Sequence, residues 1–398
     1  MHKVLIVAPS LDLATNVSGV SAVTNFIIAH NRECEYEHFL QGRSDGESGA
    51  LKRVLRIWKN YRKWKDSLRF TVYSLQNGND NGNGDGLQFT VDSLQNGKVI
   101  IHYNYPLDTP SIVRDYFFMS AARRKGIPMV IHIHGGLYLF KERKPFFIKW
   151  ILDRVFSWNN PFIVLSEKER EEIQRQYGTK NVTVLPNCVE VPDDSLQFTV
   201  YSLQKDNGIH VLYLGRIEPN KGMDYLLEAM RTLKEEGRHF VLHLAGIEQG
   251  KNRYIERYQE LLGDRFVYEG IVSGEKKATL LKRCQVFVLP SLYEGLPISL
   301  LETMSYGLVP VVTDVGSIGE YVKDGENGLL IGLRDAGAIA EMVRRLDDDR
   351  ALMMRMSEAA RQTVRSRLNP QKYIENLNMI YRIISDVKGM SMIPWQVS

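Results

Sequence analysis

Two stretches in the second half of the chain place charged residues where they would bind phosphate groups and hydroxyls. In LGRIEPNKGMDYLLEAM (Leu214–Met230), Arg216 and Lys221 flank a turn that joins a predicted strand to a helix starting after Gly222. Two fixed cations together with the N–H groups of a helix start favour an anion, above all a phosphate group. The alternative is a pair of solvated loop cations, and spacing alone leaves both interpretations open.

The second stretch, PSLYEGLPISLLETMSYGLVPVV (Pro290–Val312), carries two carboxylates. Glu294 lies in a loop after a predicted strand, and Glu302 lies on a helix whose first turn suits Pro297. Both carboxylates can then point to one crevice, where they would accept hydrogen bonds from sugar hydroxyls. They would also suit an acid/base pair for glycoside hydrolysis. The alternative is that neither carboxylate binds a ligand, one being a charge at a helix start and the other a surface residue.

Short apolar runs alternate with helical patterns, and these elements must position the two charged stretches. The runs are rich in Val, Ile and Leu and apolar on both faces, which predicts parallel strands covered by helices. Right-handed crossovers then give two doubly wound sheets, joined near Pro186–Pro192. The runs are Val4–Ala8, Val99–His102, Met129–Ile133, Phe162–Leu165, Val182–Leu185, Val211–Leu214, Phe240–Leu244, Phe266–Tyr268, Val286–Leu289 and Val309–Val312.

The two charged stretches resemble the donor site of the retaining glycosyltransferases of family 4, because the patterns G-R-x4-K-G and E-G-x-P-x4-E both stand complete. The resemblance implies the α/β GT-B fold, in which two Rossmann-like, doubly wound parallel-sheet domains face each other across a cleft. It implies an acceptor-side domain over 1–190, a nucleotide-sugar donor domain over 191–370 and a final helix, 371–398, packed back on the first domain. Further similar stretches are Asn16–Gly19, VIHIHG (Val130–Gly135), IVLSEKE (Ile163–Glu169) and VLPNCVEVP (Val184–Pro192).

The resemblance also implies a role for each charged residue. Arg216 and Lys221 would hold the donor's diphosphate and neutralise the leaving charge in place of a metal ion. Glu294 would hold the donor sugar's hydroxyls, and Glu302 the ribose hydroxyls. His134 would lie at the reaction centre as an orienting and polarising group. The other implied donor-site residues are Gly19 at the phosphates, Gly270 and Ile271 at the base, and Gly295, Leu296, Pro297 and Ile298 beside the sugar.

On this basis we expect a retaining hexosyltransferase that uses no metal or cofactor. Its donor would be a nucleotide-diphosphate sugar, with UDP-sugar favoured, and its acceptor a glycan or lipid-linked hydroxyl in lipopolysaccharide or capsule biosynthesis. Two alternatives stay open: a nucleotide-sugar hydrolase or epimerase of the same fold, and a non-catalytic nucleotide-sugar-binding partner. A Rossmann dehydrogenase is set aside, because PSLDLATNVSG (Pro9–Gly19) lacks the G-x-G-x-x-G pattern.

Three positions depart from the family pattern. Ser18 stands where a second glycine usually precedes Gly19, and Cys188 follows Asn187 where the hinge usually has glycine. Asn104 replaces a histidine often found after the third strand, which leaves the acceptor chemistry at that position open. Because no Asp-x-Asp motif stands at a strand end, a metal site is not expected.

A basic, aromatic segment, KRVLRIWKNYRKWK (Lys52–Lys65), contains seven basic residues and no acidic one. On a helix its apolar residues share one face with cations around them, which is typical of an interfacial helix on anionic lipid. KPFFIKWILDR (Lys144–Arg154) is a weaker second candidate. The alternative is a helix packed on its own domain with a solvated basic rim. The candidate membrane contacts are Trp58, Lys59, Arg62, Lys63 and Trp64.

Composition limits the class of protein further. The 398 residues hold 51 Lys and Arg against 47 Asp and Glu, so no nucleic-acid partner is indicated. Three widely spaced cysteines argue against a disulfide scaffold and fit a reducing compartment. No run of about 18 apolar residues and no signal peptide is recognised. We therefore expect a cytoplasmic protein, peripheral at the inner face of the plasma membrane.

One repeated element breaks the alternation of strands and helices. SLRFTVYSLQ (Ser67–Gln76) recurs as SLQFTVYSLQ (Ser195–Gln204), and a third copy runs from Leu87 to Gly97. The uneven spacing excludes a solenoid. The copies are interpreted as surface insertions over residues 67–97 and 195–206, and the alternative is an added sheet edge used in assembly.

Overall fold

A computed structural model divides the chain into two compact units. The first unit comprises Met1–Leu185 and Ile374–Ser398, and the second comprises Pro186–Tyr373. Apart from Leu68, the predicted repeat insertions lie outside the residues that the structure describes. The described residues are 2–12, 18–41, 55–66, 68, 99–136, 138–192 and 208–386.

The first unit is built on a parallel sheet. Its strands are β1 (His2–Ala8), β2 (Cys34–Leu40), β3 (Val99–Tyr105), β4 (Met129–Ile133), β5 (Phe162–Val164) and β6 (Val182–Val184). They lie in the order β2-β1-β3-β4-β5-β6, and every pairing is parallel. All residues of β3 and β4 are buried, as expected for central strands with helices on both faces.

Helices cover both faces of this sheet. They are α1 (Gly19–His30), α2 (55–66), α3 (Thr109–Arg124), α4 (Phe146–Phe156) and α5 (Glu167–Tyr177). Side chains fix two helix starts: Asp108 accepts a hydrogen bond from Ser111 N at 2.9 Å, and Ser166 accepts one from Glu169 N at 3.2 Å. From β2 to β5 the chain crosses the sheet in one direction. Right-handed crossovers therefore place α2, α3 and α4 on the same face.

The second unit repeats this architecture. Its strands are β7 (Ile209–Leu214), β8 (Phe240–Ala245), β9 (Phe266–Gly270), β10 (Val286–Leu289), β11 (Val309–Thr313) and β12 (Leu329–Ile331). They lie in the order β12-β11-β10-β7-β8-β9, all parallel. The helices are α6 (Met223–Glu235), α7 (Tyr254–Leu262), α8 (Gly274–Arg283), α9 (Ile298–Ser305), α10 (Ile318–Tyr321), α11 (Ala336–Asp348), α12 (Arg350–Arg367) and α13 (Pro370–Asp386).

The last helix, α13, belongs to the first unit from Ile374 onward. Asn31 Nδ2 donates a hydrogen bond of 2.6 Å to Asn378 Oδ1, and Tyr381 OH shares one of 2.6 Å with His102 Nδ1. Both contacts are buried. Polar as well as apolar contacts therefore attach this helix to α1 and β3.

The structure confirms the predicted α/β architecture of two doubly wound parallel sheets. A strand forms at each predicted apolar run, with ends that shift by a few residues. Two strands, β2 and β12, were not predicted, and both lie at the edge of a sheet. In β2 only two of the seven residues are buried, and β12 has three residues. An edge strand borders solvent, so it need not form a continuous apolar run.

Candidate active site

The first charged stretch forms a tight turn between β7 and α6. Pro219–Lys221 makes one turn of 3-10 helix, and Gly222 then adopts a φ of 75°. A Cβ on Gly222 would lie 2.1 Å from Pro290 O, so glycine is required for the turn to pack against the end of β10. This close approach holds Lys221 beside the loop that follows β10.

Lys221 and Glu294 form an ion pair. Lys221 Nζ lies 2.6 Å from Glu294 Oε1, and the two side chains are only 13% and 11% exposed. Ser291 Oγ donates a hydrogen bond of 2.7 Å to the same carboxylate oxygen. Because β7 and β10 are neighbours in the sheet, the loops after their carboxyl ends meet. The two predicted charged stretches are therefore in direct contact.

Arg216 lies on the same turn and is more exposed than Lys221. Its Nη1 is 3.8 Å from Glu218 Oε1, and 38% of the side chain is exposed. The buried Tyr213 hydroxyl donates a hydrogen bond of 2.5 Å to Arg216 O. Burial raises the pKa of Tyr213, which keeps this donor protonated. The backbone of Arg216 is thereby fixed, while its guanidinium stays accessible to an anion.

Glu302 is paired with Lys277, a residue that sequence reasoning missed. Lys277 Nζ on α8 lies 2.5 Å from Glu302 Oε1 on α9, and both side chains are less than one-third exposed. The neighbouring Lys276 instead donates a hydrogen bond of 2.6 Å to Glu269 O. The only signal for Lys277 was a pair of lysines in the first turn of α8, which is also typical of a solvated helix surface.

Gly270 is the last residue of β9, and Ile271 follows it at the same edge of the sheet. Gly270 has a φ of 69°, and Gly246 N donates a hydrogen bond of 2.8 Å to Gly270 O. Ile271 is 37% exposed. The residues that the family resemblance assigns to the nucleobase thus form a turn without a bulky side chain, followed by an exposed apolar side chain.

The loop of residues 295–298 is held from two sides within the second unit. Asn187 Nδ2 donates a hydrogen bond of 2.7 Å to Leu296 O, and Ser317 N donates one of 3.1 Å to Gly295 O. Asn187 of the predicted hinge therefore supports this loop through its side chain. The loop ends with Pro297, which precedes α9, and Ile298, the first residue of that helix.

In the first unit, His134 follows β4 and is bonded to Asn104. The Asn104 amide nitrogen donates a hydrogen bond of 2.9 Å to Val7 O, so its Oδ1 is the acceptor for His134 Nε2 at 2.6 Å. Burial lowers the pKa of His134 to about 3. The imidazole is therefore neutral, with the proton on Nε2 and a lone pair on Nδ1. Asn104, which departs from the family pattern, orients this histidine.

A row of histidines continues from His134 into the unit. The rings of His132 and His134 have centroids 4.0 Å apart. His132 Nδ1 and His102 Nε2 share a hydrogen bond of 3.1 Å, and Tyr381 OH bonds to the other ring nitrogen of His102 at 2.6 Å. The row thus links α13 to the end of β4.

Gly19 opens α1, and its neighbour Ser18 accepts a hydrogen bond of 3.1 Å from Ala22 N through its carbonyl. Outside the loop 295–298, eight binding and catalytic residues were predicted, and they are divided between the two units. Gly19 and His134 belong to the first unit, and Arg216, Lys221, Gly270, Ile271, Glu294 and Glu302 belong to the second.

Trp64, predicted to contact a membrane, is buried in the core of the first unit. Its Nε1 donates a hydrogen bond of 2.9 Å to Phe118 O, and its ring meets that of Phe39 edge to face with centroids 4.8 Å apart. The apolar side of α2 is therefore covered by its own unit, and the assignment of Trp64 as a membrane contact is wrong. The other candidates, Trp58, Lys59, Arg62 and Lys63, are exposed.

The described part of the chain contains neither a cluster of metal-binding side chains nor a membrane-spanning helix. No three His, Cys, Asp or Glu side chains among them lie close enough together to hold a metal ion. Within the same ranges, no helix has the length and apolar character needed to cross a membrane.

Family models and curated relatives identify the same protein class. The model for glycosyl transferases group 1 matches residues 200–363, and the model for glycosyltransferase family 4 matches residues 100–191. An alpha-D-kanosaminyltransferase of Streptomyces kanamyceticus is 28% identical over 66% of this chain and 72% of its own length. A UDP-Gal:alpha-D-GlcNAc-diphosphoundecaprenol alpha-1,3-galactosyltransferase of Escherichia coli is 27% identical over 66% of this chain and 70% of its own length.

Solved structures share the fold at low sequence identity. Sucrose-phosphate synthase from Thermosynechococcus elongatus has a TM-score of 0.73 and 18% identity, covering 98% of this chain and 100% of its own. Anabaena HepE in complex with UDP has a TM-score of 0.67 and 15% identity, covering 96% of this chain and 100% of its own. These structures show the GT-B fold, and the two family models with the curated relatives identify the chain as a family-4-like glycosyltransferase.

Proposed function

We propose that this glycosyltransferase moves a sugar, with retention of anomeric configuration, from a UDP-sugar to a glycan or lipid-linked hydroxyl in cell-surface polysaccharide synthesis. The Lys221–Glu294 pair carries the proposal. It places a cation suited to a diphosphate 2.6 Å from a carboxylate suited to sugar hydroxyls. When a nucleotide-diphosphate sugar binds, Lys221 can contact its diphosphate and Glu294 can accept hydrogen bonds from its sugar hydroxyls.

The choice of UDP rests on relatives. The galactosyltransferase relative is named for UDP-Gal, and HepE has been solved with UDP and with UDP-glucose. In this chain, Glu302 would accept hydrogen bonds from the ribose hydroxyls, and the turn at Gly270 and Ile271 would meet the base. The acceptor class rests on the same galactosyltransferase, whose name gives a diphosphoundecaprenol-linked acceptor.

In the proposed reaction, the acceptor oxygen bonds to the anomeric carbon while the bond from that carbon to the diphosphate oxygen breaks. The acceptor proton passes to the departing diphosphate on the same face of the sugar. Arg216 and Lys221 would stabilise the negative charge that develops on the diphosphate, which is the role a metal ion has in other transferases. We therefore propose a reaction that requires no metal.

His134 is assigned to the acceptor side as an orienting group. Its Nε2 proton is donated to Asn104 Oδ1, so Nδ1 can accept a hydrogen bond from a hydroxyl. Burial lowers the pKa of His134 to about 3, which makes the imidazole too weak a base to hold the acceptor proton at neutral pH. This supports the departing diphosphate as the proton acceptor.

The test is a thermal-shift screen of the full chain with UDP-, GDP- and ADP-sugars, followed by product analysis. We expect a UDP-sugar to raise the melting temperature most. Transfer to a lipid-linked acceptor in the presence of a chelator should then give a product with the donor's anomeric configuration by NMR. Release of free sugar without transfer would support a hydrolase instead, and an inverted product would contradict the proposal.

The Glu294→Ala variant tests whether Glu294 belongs to the donor site. It should lose transfer, whereas Glu228→Ala, on the exposed surface of α6 where Glu228 pairs with Arg231, should keep it. Unchanged turnover in Glu294→Ala would overturn the site assignment.

A further inference from the structure

The outer side of α2, α3 and α4 exposes large aromatic side chains. Phe146 is 85% exposed, and Trp58, Phe117, Phe147 and Trp150 are each more than half exposed. Aromatic residues dominate cores and interfaces because their burial removes much apolar surface from water. A cluster left in solvent therefore indicates a binding surface.

These side chains lie on adjacent helices of one face. Tyr61 on α2 packs against Phe118 on α3 with ring centroids 5.3 Å apart, and Tyr116 on α3 packs against Trp150 on α4 at 5.6 Å. The three helices thus form one continuous layer over the sheet. We name its solvent side the aromatic face, and its members are Trp58, Phe117, Phe146, Phe147 and Trp150.

Cations surround the aromatic face. The helix α2 has five basic residues and one acidic residue, and the segment 141–154, which contains most of α4, has five basic and two acidic residues. Together they have a larger positive excess than the whole chain, whose net charge is +4. Arg62 stacks over the Trp58 ring at 4.6 Å, which keeps a guanidinium beside an exposed indole.

We propose that the aromatic face docks this protein on an anionic bilayer surface. Phe146 and Phe147 begin α4 between Lys144 and Lys149, so rings that enter the headgroup region would carry cations to the lipid phosphates. A bilayer offers phosphates to the lysines at the depth where an aromatic ring such as Phe146 enters the boundary of the acyl chains. The charge and the aromatic tip together therefore favour lipid.

This inference rests on the proposed function, because it assigns the surface by which the enzyme reaches a lipid-linked acceptor. It also changes the position of the membrane contact that was predicted from the sequence. The apolar side of α2, with Trp64, packs on the core, and the lipid contact instead uses the outer side of α2 together with α3 and α4.

The experiment is flotation of the full chain with vesicles of phosphatidylcholine alone or mixed equally with phosphatidylglycerol. Wild type should bind the anionic vesicles and release them at high salt. Phe146→Ser/Phe147→Ser and Lys59→Glu/Arg62→Glu should each weaken binding by about tenfold or more. The matched controls are Leu333→Ser/Met354→Ser, which removes exposed apolar residues of the second unit, and Lys251→Glu/Lys282→Glu, which reverses exposed cations there.

Equal binding of the surface variants and wild type would overturn the proposal, as would wild type that binds neither kind of vesicle or both kinds equally. The thermal shift with a UDP-sugar is measured in parallel. Surface variants should keep that shift, since their altered residues are not in the donor site. Vesicle binding without any nucleotide-sugar shift would contradict the proposed function alone.

Discussion

Lys221 and Glu294 are 73 positions apart in the chain, yet their side chains share a hydrogen bond of 2.6 Å. Both are mostly buried, and Ser291 holds the same carboxylate oxygen. Removing one member of such a pair leaves the other charge poorly solvated, which costs more than the pair itself contributes. Each residue therefore affects folding as well as donor binding, and the two effects must be measured separately.

Replacing both members of this pair should separate stability from activity. We expect Lys221→Met and Glu294→Gln each to lower the free energy of unfolding by on the order of 2 kcal/mol and kcat/KM by about a hundredfold or more. The double variant should recover part of the stability, because no buried charge is left alone, while its activity stays low. Urea unfolding and steady-state kinetics check this. Recovery of activity along with stability would mean that the pair is structural only.

Lys277 should act by positioning Glu302. In Lys277→Ala the carboxylate loses its 2.5 Å partner, and the KM for the donor should rise about tenfold with little change in kcat. Lys277→Arg should restore most of the affinity, since it keeps the charge. Lys276→Ala is the matched control, because its amine bonds to Glu269 O instead. Titration calorimetry with UDP measures the loss directly, and equal affinities in Lys276→Ala and Lys277→Ala would contradict this role.

The strand pattern and the charged motifs could be predicted because each is local in sequence. Val286–Leu289 is apolar on both faces, and Glu294 follows it by a fixed loop, so the strand end and the carboxylate are found together. The edge strand Cys34–Leu40 was missed because only two of its seven residues are buried, so it is not a continuous apolar run. Its pairing with β1 is a property of the folded sheet, not of its own composition.

Tertiary partners could not be predicted. Nothing in the sequence connects Lys277 to Glu302 or Asn104 to His134, because each pair joins different strands or helices. Trp64 shows the same limit: its helical face was identified correctly as apolar, but amphipathicity does not say whether that face covers lipid or the protein's own sheet. The buried hydrogen bond from Trp64 to Phe118 O decides it.

Acid should destabilise the first unit through its buried histidines. Burial lowers the pKa of His102 and of His134 to about 3, whereas the unfolded chain titrates near 6.5. Below pH 6.5 the unfolded state therefore binds protons that the native state does not, and stability falls as the pH drops toward 3. Each such histidine should contribute about 1.4 kcal/mol per pH unit.

Urea unfolding at several pH values between 7 and 5 tests this slope. His102→Gln should show a shallower loss of stability than wild type, even though removing the bond to Tyr381 lowers its stability at pH 7. Tyr381→Phe provides the control, because it removes the same hydrogen bond but keeps His102, and it should keep the wild-type slope. Parallel slopes for His102→Gln and wild type would contradict this prediction, because His102 would then bind the same number of protons in the native and unfolded states.

Truncation of the two tryptophans on α2 should affect different properties: stability in the case of Trp64 and vesicle binding in the case of Trp58. Trp64 is fully buried and donates a hydrogen bond to Phe118 O, so Trp64→Ala should lower the free energy of unfolding by about 3–5 kcal/mol. Trp58 is 57% exposed, so Trp58→Ala should change it by less than about 0.5 kcal/mol and should instead weaken binding to anionic vesicles. Because the two residues share one helix, helix propensity affects both variants alike. A stable Trp64→Ala protein that no longer binds vesicles would restore Trp64 as a membrane contact and contradict the packing of α2 described above.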